Sequence, residues 1–259
     1  MKIKAVFNES DERQASYIRY IRRVFPELIS EENPDMFFVI GGDGAMLHAH
    51  KQYGHLGKPF FGKGFGSLNF IMNNFDNDFE VIEGLLADEI VPTIIKSEKI
   101  KVKIIKSSGE KIIEECINDV VIGNNIMDYH HFKMDSERGA FVDFGFKGMG
   151  ICVSTPLGST AFNLNNGGKV IPLDSKLWSI TSIVGDHNVN EIMKPQKLAI
   201  EILSERHIPS IFIDGVASSY ELGKGDVIKL EKCKHKFKLA FIDPKSFFKR
   251  RMKLVQKKR

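Results

Sequence analysis

The sequence predicts an α/β domain at the N-terminus followed by an all-β, mostly antiparallel domain, with the last segment returning to the first. Three observations predict it. Over residues 1–95, short apolar runs alternate with segments of helical period, as in a parallel sheet covered by helices. From 96 to 236, strand-like segments follow one another with few long helices between them. The stretch 237–259 then adds one more apolar strand and a basic amphipathic helix. The expected division is therefore 1–95 completed by 237–259, and 96–236.

The elements read in order as follows. Lys2–Phe7 is a short strand, and Ser10 or Asp11 caps a helix whose Ile18, Ile21 and Phe25 recur at helical spacing before Pro26 ends it. Met36–Ile40 is a continuous apolar run, as expected of a strand covered on both faces. It leads directly into Gly41-Gly42-Asp43-Gly44 and a helix through His50. Lys58–Gly62 gives another strand, and Phe79, Ile82, Leu85 and Leu86 form one face of a further helix. In Lys99–Lys106, Ile100, Val102 and Ile104 alternate with polar residues, the period of a half-exposed strand. Further strands are expected at Lys111–Glu115, Val120–Ile122, Ala140–Lys147, Ile151–Ser154, Lys197–Leu203, Ile208–Ile213, Val227–Leu230 and Lys236–Ile242. His130-His131 falls in an expected exposed loop, and Trp178 is expected in the core.

Composition narrows the class. With 259 residues, 42% apolar and 27% charged, the chain can bury a core without disulfides and is unlike disordered, collagen-like or coiled-coil sequences. No apolar run reaches the about 20 residues that span a bilayer, and no signal-peptide core opens the sequence, so a cytoplasmic protein is expected. Cys116, Cys152 and Cys233 are odd in number and far apart, which fits neither a disulfide framework nor a zinc site. No protein-derived metal site is expected. The net charge of +4 is concentrated in Lys245–Arg259, which carries many cations and no acid. It reads as a solvated amphipathic helix with Phe247, Phe248, Met252, Leu254 and Val255 partly docked. No nucleic-acid module and no membrane-binding face accompany it, while small polyanions such as nucleotides suit the charge.

Three segments carry chemistry. In Gly41-Gly42-Asp43-Gly44, glycines let backbone approach a polyphosphate and N–H groups at a helix start favour its charge. Asp43 either takes a proton from an attacking hydroxyl, helps organise a phosphate-bound metal, or simply caps the helix. In Gly148–Asn163, followed by Gly167-Gly168, a β run breaks into small hydroxyl and glycine residues (STPLGSTAFN) that suit a wall for a planar or sugar-bearing ligand, with Phe162 as a packing face. The other reading is a Gly/Pro-rich β corner. No GxSxG elbow accompanies the serines, so a hydrolytic nucleophile is not expected. Asn118-Asp119 interrupts two apolar strands and reads either as a ligand-gripping pair or as an exposed turn.

Together and in this order, these segments resemble the NAD kinase family. Further matching features are the Gly62…Phe70 loop (GKGFGSLNF), Gly167-Gly168, Asp214-Gly215 and the terminal FFKRRMKL. The GGDG loop alone is shared with lipid kinases and phosphofructokinases; STPxGSTA is far more specific. The resemblance spans nearly the whole chain and implies a two-domain fold with a β-sandwich second domain and the dinucleotide between domains. It implies transfer of a phosphoryl group from ATP or polyphosphate, with Mg²⁺, to the adenosine 2′-hydroxyl of NAD, giving NADP, by a homodimer or homotetramer. Carried over residue by residue, Asp43 would be the general base and Gly41, Gly42 and Gly44 the phosphate loop. Asn118 and Asp119 would hold ribose and base groups. Thr160, Ala161, Phe162, Asn163 and Asn165 would line the dinucleotide cleft, and Lys147 would meet a phosphate.

The chain departs from the family at several positions. Ala45 stands where Thr is usual, Met149 where Asp is frequent, and Phe162 where Tyr is usual. Leu157, Gly64 and Asn69 differ too, and no Pro-His…Arg-Pro stretch follows Trp178. Two alternatives are a lipid-type kinase sharing the GGDG loop and a non-catalytic dinucleotide sensor.

Overall fold

The computed structural model describes residues 2–26, 30, 32–66, 69–75, 77–124, 128–215 and 218–258. The chain divides into two compact units, Met1–Lys96 with Phe237–Arg259, and Ser97–Lys236.

The first unit contains β1 (Ile3–Val6), α1 (Glu12–Val24), β2 (Met36–Gly41), α2 (Asp43–Tyr53), β3 (Phe60–Gly64), α3 (Asp78–Leu86) and β4 (Thr93–Ser97). The second unit contains β5 (Ile100–Ile105), β6 (Lys111–Cys116), β7 (Asp119–Gly123), β8 (His130–Ser136), β9 (Phe144–Ser154), α4 (Phe162–Asn165), β10 (Trp178–Gly185), β11 (Asn190–Met193), β12 (Leu198–Ile202), β13 (Ser210–Ile213), β14 (Ser218–Glu221) and β15 (Val227–Lys232). Two returning elements, β16 (Phe237–Phe241) and α5 (Pro244–Lys258), complete the first unit.

In the first unit the sheet order is β1-β2-β3-β16-β4, with β1, β2, β3 and β16 parallel where they pair. Every residue of β2 is buried, as its unbroken apolar run requires of a central strand. Phe38 and Ile40 pack with Ile18 and Ile21 of α1 and Ile82 and Leu85 of α3. On the other face Phe37 stacks on Tyr53 of α2, with ring centroids 4.7 Å apart. Asp11 caps α1 by accepting from the Arg13 N–H at 3.0 Å. Phe79 departs from its expected apolar face: it is exposed, and Val81 takes the inward position.

The second unit is a sheet of order β14-β13-β7-β9-β8-β12-β15-β5-β6, with β10 and β11 joining it through β9. Ile100, Val102 and Ile104 alternate inward along β5, and β12 and β15 do the same. All contribute to one core with Trp178, Phe132, Phe146 and Ile211, so the sheet must curl over itself to enclose it. β9 makes this possible. Its first half pairs with β8 and its second half with β7 and β10.

Two sequence expectations are corrected here. Gly148-Met149-Gly150 does not separate two strands; ladder pairs such as His130↔Gly148 and Gly123↔Gly150 carry β9 straight through. His130 is not in an exposed loop. It lies fully buried in β8, its Nδ1 bonded to the His207 carbonyl at 2.9 Å, while His131 faces out. The strands β4, β8, β10, β11 and β14 were not foreseen, because each is short or rich in hydroxyl and charged residues.

Candidate active site

The glycine corner is built at the end of β2. Gly41 sits at φ +146°, and a Cβ there would lie 2.7 Å from the Ala45 Cβ, so only glycine fits. Gly42 is the N-cap of α2, and Asp43 is the first helical residue. The reading of Asp43 as the cap is thereby corrected. Instead its half-buried carboxylate spans to the loop after β3, accepting the Phe70 N–H at 2.8 Å and the Ile71 N–H at 3.0 Å. Each oxygen keeps a lone pair for a further proton or donor. Gly44 is exposed, and open space lies where its Cβ would be. The first N–H groups of α2 thus lie beside accessible backbone, the arrangement that receives anions. Within the matching Gly62…Phe70 loop, Ser67 and Leu68 lie outside the described residues.

The terminal helix brings two cations to this corner. Arg250 donates to the Met72 carbonyl, and Arg251 is only 3% exposed. Asn73 ties the same loop to β16, donating to the Ala240 carbonyl at 2.9 Å and accepting the Ile242 N–H at 3.1 Å. Burial raises the Asp43 carboxyl above its ordinary value, opposed by the two N–H bonds and by the charges of Arg251 and Arg250. Burial correspondingly lowers Arg251 to about 10, opposed by Asp43. The expected amphipathic helix with an apolar docked face gains a buried cation, Arg251, that the sequence reading does not place on that face. A signal was present: Phe247, Arg251 and Val255 recur at four-residue spacing, and all three are buried.

The second cluster lies at the start of β7. Asn118 is half-exposed and Asp119 buried, which excludes the exposed-turn reading. Asp119 accepts the Phe162 N–H, and its Oδ2 has no hydrogen-bond partner among the described residues. Burial first, and the charge of Asp214 second, push Asp119 from 3.8 to about 7. Asp214 is itself raised by burial.

The STPLGST segment is a buried corner whose hydroxyls point inward. Thr155 Oγ1 donates to the Ile117 carbonyl at 2.5 Å, and Ser159 Oγ donates to Pro156 at 2.8 Å while accepting the Ile171 N–H at 3.0 Å. Thr160 and Asn163 are buried, and Asn163 Nδ2 donates to the Ser159 and Lys169 carbonyls, both at 3.1 Å. The Thr155 and Ser159 hydroxyls, expected to supply hydrogen bonds to a ligand, are spent on backbone, as in the β-corner reading. They brace the segment, and its solvent-facing groups are Phe162, at 40% exposed, and Asn165, with Ala161 half-exposed. Lys147 is exposed on β9.

Two predictions arise from this geometry. A Cβ on Gly158 would lie 2.1 Å from the Asn118 carbonyl oxygen. Gly158→Ala is therefore expected to destabilise the chain by about 1–3 kcal/mol in denaturant unfolding; an unchanged midpoint would refute this contact. The second concerns pH. The folded chain keeps a proton on Asp119 up to about pH 7, whereas unfolded aspartate loses it near 3.8. The folded state therefore binds more protons in this window, and the Asp119 contribution to stability declines as pH rises through it. Thermal unfolding from pH 4 to 7 should show that decline in the wild type and lose it in Asp119→Asn. Parallel profiles would contradict it.

The family model of the ATP-NAD kinase C-terminal domain matches residues 102–242. The NAD kinase of Rickettsia bellii is 32% identical over 184 residues, covering 70% of this chain and 68% of that protein. The chain belongs to the NAD kinase family. It is accordingly a phosphotransferase, and its GGDG and STPLGSTAFN segments are those on which the resemblance rested. The NAD kinase of Rickettsia canadensis is 31% identical over 182 residues, with the same coverage. Among solved folds, yeast NADH kinase complexed with NADH gives a TM-score of 0.84 at 16% identity, covering 99% of this chain and 87% of that one. An Archaeoglobus fulgidus NAD kinase in complex with ATP gives 0.74 at 17% identity, covering 99% of both chains. Both likenesses concern the fold. No helix among the described residues is long and apolar enough to cross a membrane.

Proposed function

We propose that the chain transfers the terminal phosphoryl group of ATP to the adenosine 2′-hydroxyl of NAD, giving NADP. The observation that carries this reading is Asp43. Its carboxylate is fixed by two backbone N–H groups that, with the charges of Arg251 and Arg250, oppose the effect of its burial, and it is set beside an anion-receiving helix start. Phosphoryl transfer asks a protein mainly for positioning and charge neutralisation. Gly41, Gly42 and Gly44 shape the backbone that receives phosphate, and Asp43 accepts the 2′-hydroxyl proton as the new bond to phosphorus forms. Asn118 and Asp119 grip ribose and base groups, Ala161, Phe162 and Asn165 offer the outer face, and Lys147 answers a phosphate. Thr160 and Asn163 serve from behind as braces.

Magnesium enters as part of the nucleotide substrate. The GGDG corner supplies one carboxylate, already committed to two N–H groups and flanked by arginines, and such a donor set suits an ion that arrives coordinated by phosphates and water. Domain roles follow the same reading: 1–95 with 237–259 takes the phosphoryl donor, 96–236 takes NAD, and the enzyme works in the cytoplasm as a homodimer or homotetramer.

The test is purified chain with NAD, ATP and Mg²⁺, monitored with an NADP-specific dehydrogenase. NADP formation is the expected result. NAD binding without NADP identifies a sensor, and lipid phosphorylation without NAD binding identifies a lipid-type kinase; either outcome overturns the proposal. Polyphosphate in place of ATP in the same assay settles the donor.

A further inference from the structure

Asp214 follows β13 at φ +54°, a left-handed conformation unusual for a residue other than glycine. Its N–H donates to the Asp119 carbonyl at 2.9 Å. Its carboxylate then turns onto the segment before β7: Oδ1 accepts the Asn118 N–H at 2.7 Å, the Ile117 N–H at 3.1 Å and the Cys116 thiol at 3.0 Å. From the opposite side Thr155 holds the Asn118 carbonyl, with its N–H at 2.9 Å and its hydroxyl at 3.0 Å. Both ends of the Asn118 backbone are thus clamped, and Gly158 closes against the same carbonyl. Burying a carboxylate near a second one is costly, and the bonds from Cys116, Ile117, Asn118 and Asp119 only partly offset the burial of Asp214.

We propose that Asp214 is a positioning residue of the phosphotransferase, fixing the Ile117–Asn118 peptide and thereby aiming Asn118 and Asp119 at the NAD acceptor. This rests on the NAD reading above. Asp214 acts through its neighbours and is not assigned a contact with substrate. The titratable groups acting on Asp119 are Asp214, Cys116 of β6 and Cys152 of β9, and burial keeps both thiols well above their ordinary range and neutral. After burial, Asp214 is the charge that raises Asp119, and its removal leaves a signature that a purely structural residue would not.

The experiment compares wild type, Asp214→Asn and Thr155→Val by KM for NAD, kcat, NAD binding in calorimetry, and the pH profile of kcat/KM. Asp214→Asn keeps one oxygen for the Asn118 N–H but removes the charge and sets an amide donor where Oδ2 accepts the Ile117 N–H at 3.1 Å, so KM for NAD should rise about tenfold with kcat little changed. The Asp119 inflection in its profile should move down by about one pH unit. Thr155→Val keeps the backbone N–H on the Asn118 carbonyl but removes the hydroxyl that holds the Ile117 and Asn118 carbonyls and accepts the Gly158 N–H, and it tests the geometry even if Asp214→Asn folds poorly. Its KM should rise in the same direction with the inflection unmoved. Wild-type KM and NAD affinity in Thr155→Val, or a wild-type KM and pH profile in a folded Asp214→Asn, would overturn the proposal while leaving NAD phosphorylation intact. A wild-type chain that neither binds NAD nor forms NADP would overturn the functional reading itself.

Discussion

Asp43→Asn is expected to lower kcat by about 10²–10⁴-fold, the usual value of a general base, with NAD affinity changed by only a small factor. The reason is geometric as well as chemical. Asn keeps one carbonyl acceptor for the Phe70 or Ile71 N–H but presents its amide to the other, so the loop loses one of two ties while the corner keeps its glycines. Steady-state kinetics and NAD titration calorimetry on the same preparation separate the two effects. A kcat within threefold of wild type would remove Asp43 from the proton transfer.

Arg251→Met is the second large effect. Met fills a similar length without the charge, and Asp43 then faces its burial with the Phe70 and Ile71 N–H bonds and Arg250 only. The carboxyl value rises, and a base must be ionised to accept a proton. The acid limb of the kcat profile should therefore move to higher pH by about one unit, with roughly tenfold slower turnover at any pH on that limb. Activity should recover as pH rises above the new midpoint. A uniform loss across the profile would indicate that Arg251 acts on the donor phosphates or on folding, and an unmoved limb would contradict its electrostatic role.

The fold was legible where the pattern is local. The wholly apolar Met36–Ile40 announced a central strand, and the alternation of Ile100, Val102 and Ile104 announced a sheet face. The site was legible only in its markers. GGDG and STPLGSTAFN located the two clusters, but their side-chain roles depend on contacts far apart in the chain. Asp43 reaches Phe70 and Ile71, Arg251 arrives from the last helix, and Asp214 reaches Asn118 from 96 residues away. Hydroxyl residues also mislead in a characteristic way. Ser and Thr in a glycine-rich turn satisfy either a ligand or their own backbone, and here Thr155 and Ser159 chose backbone. The long β9 was hidden for a related reason, since glycines that punctuate loops also permit close strand approach.

The general-base assignment is tested most directly by the crystal structure of the chain with NAD bound, read at one distance. An Asp43 carboxylate oxygen about 2.6–3.2 Å from the adenosine 2′-oxygen, directly or through one water, is the expected result. A well-ordered dinucleotide whose 2′-oxygen lies beyond that reach, with Asp43 still committed to Phe70 and Ile71, would contradict it.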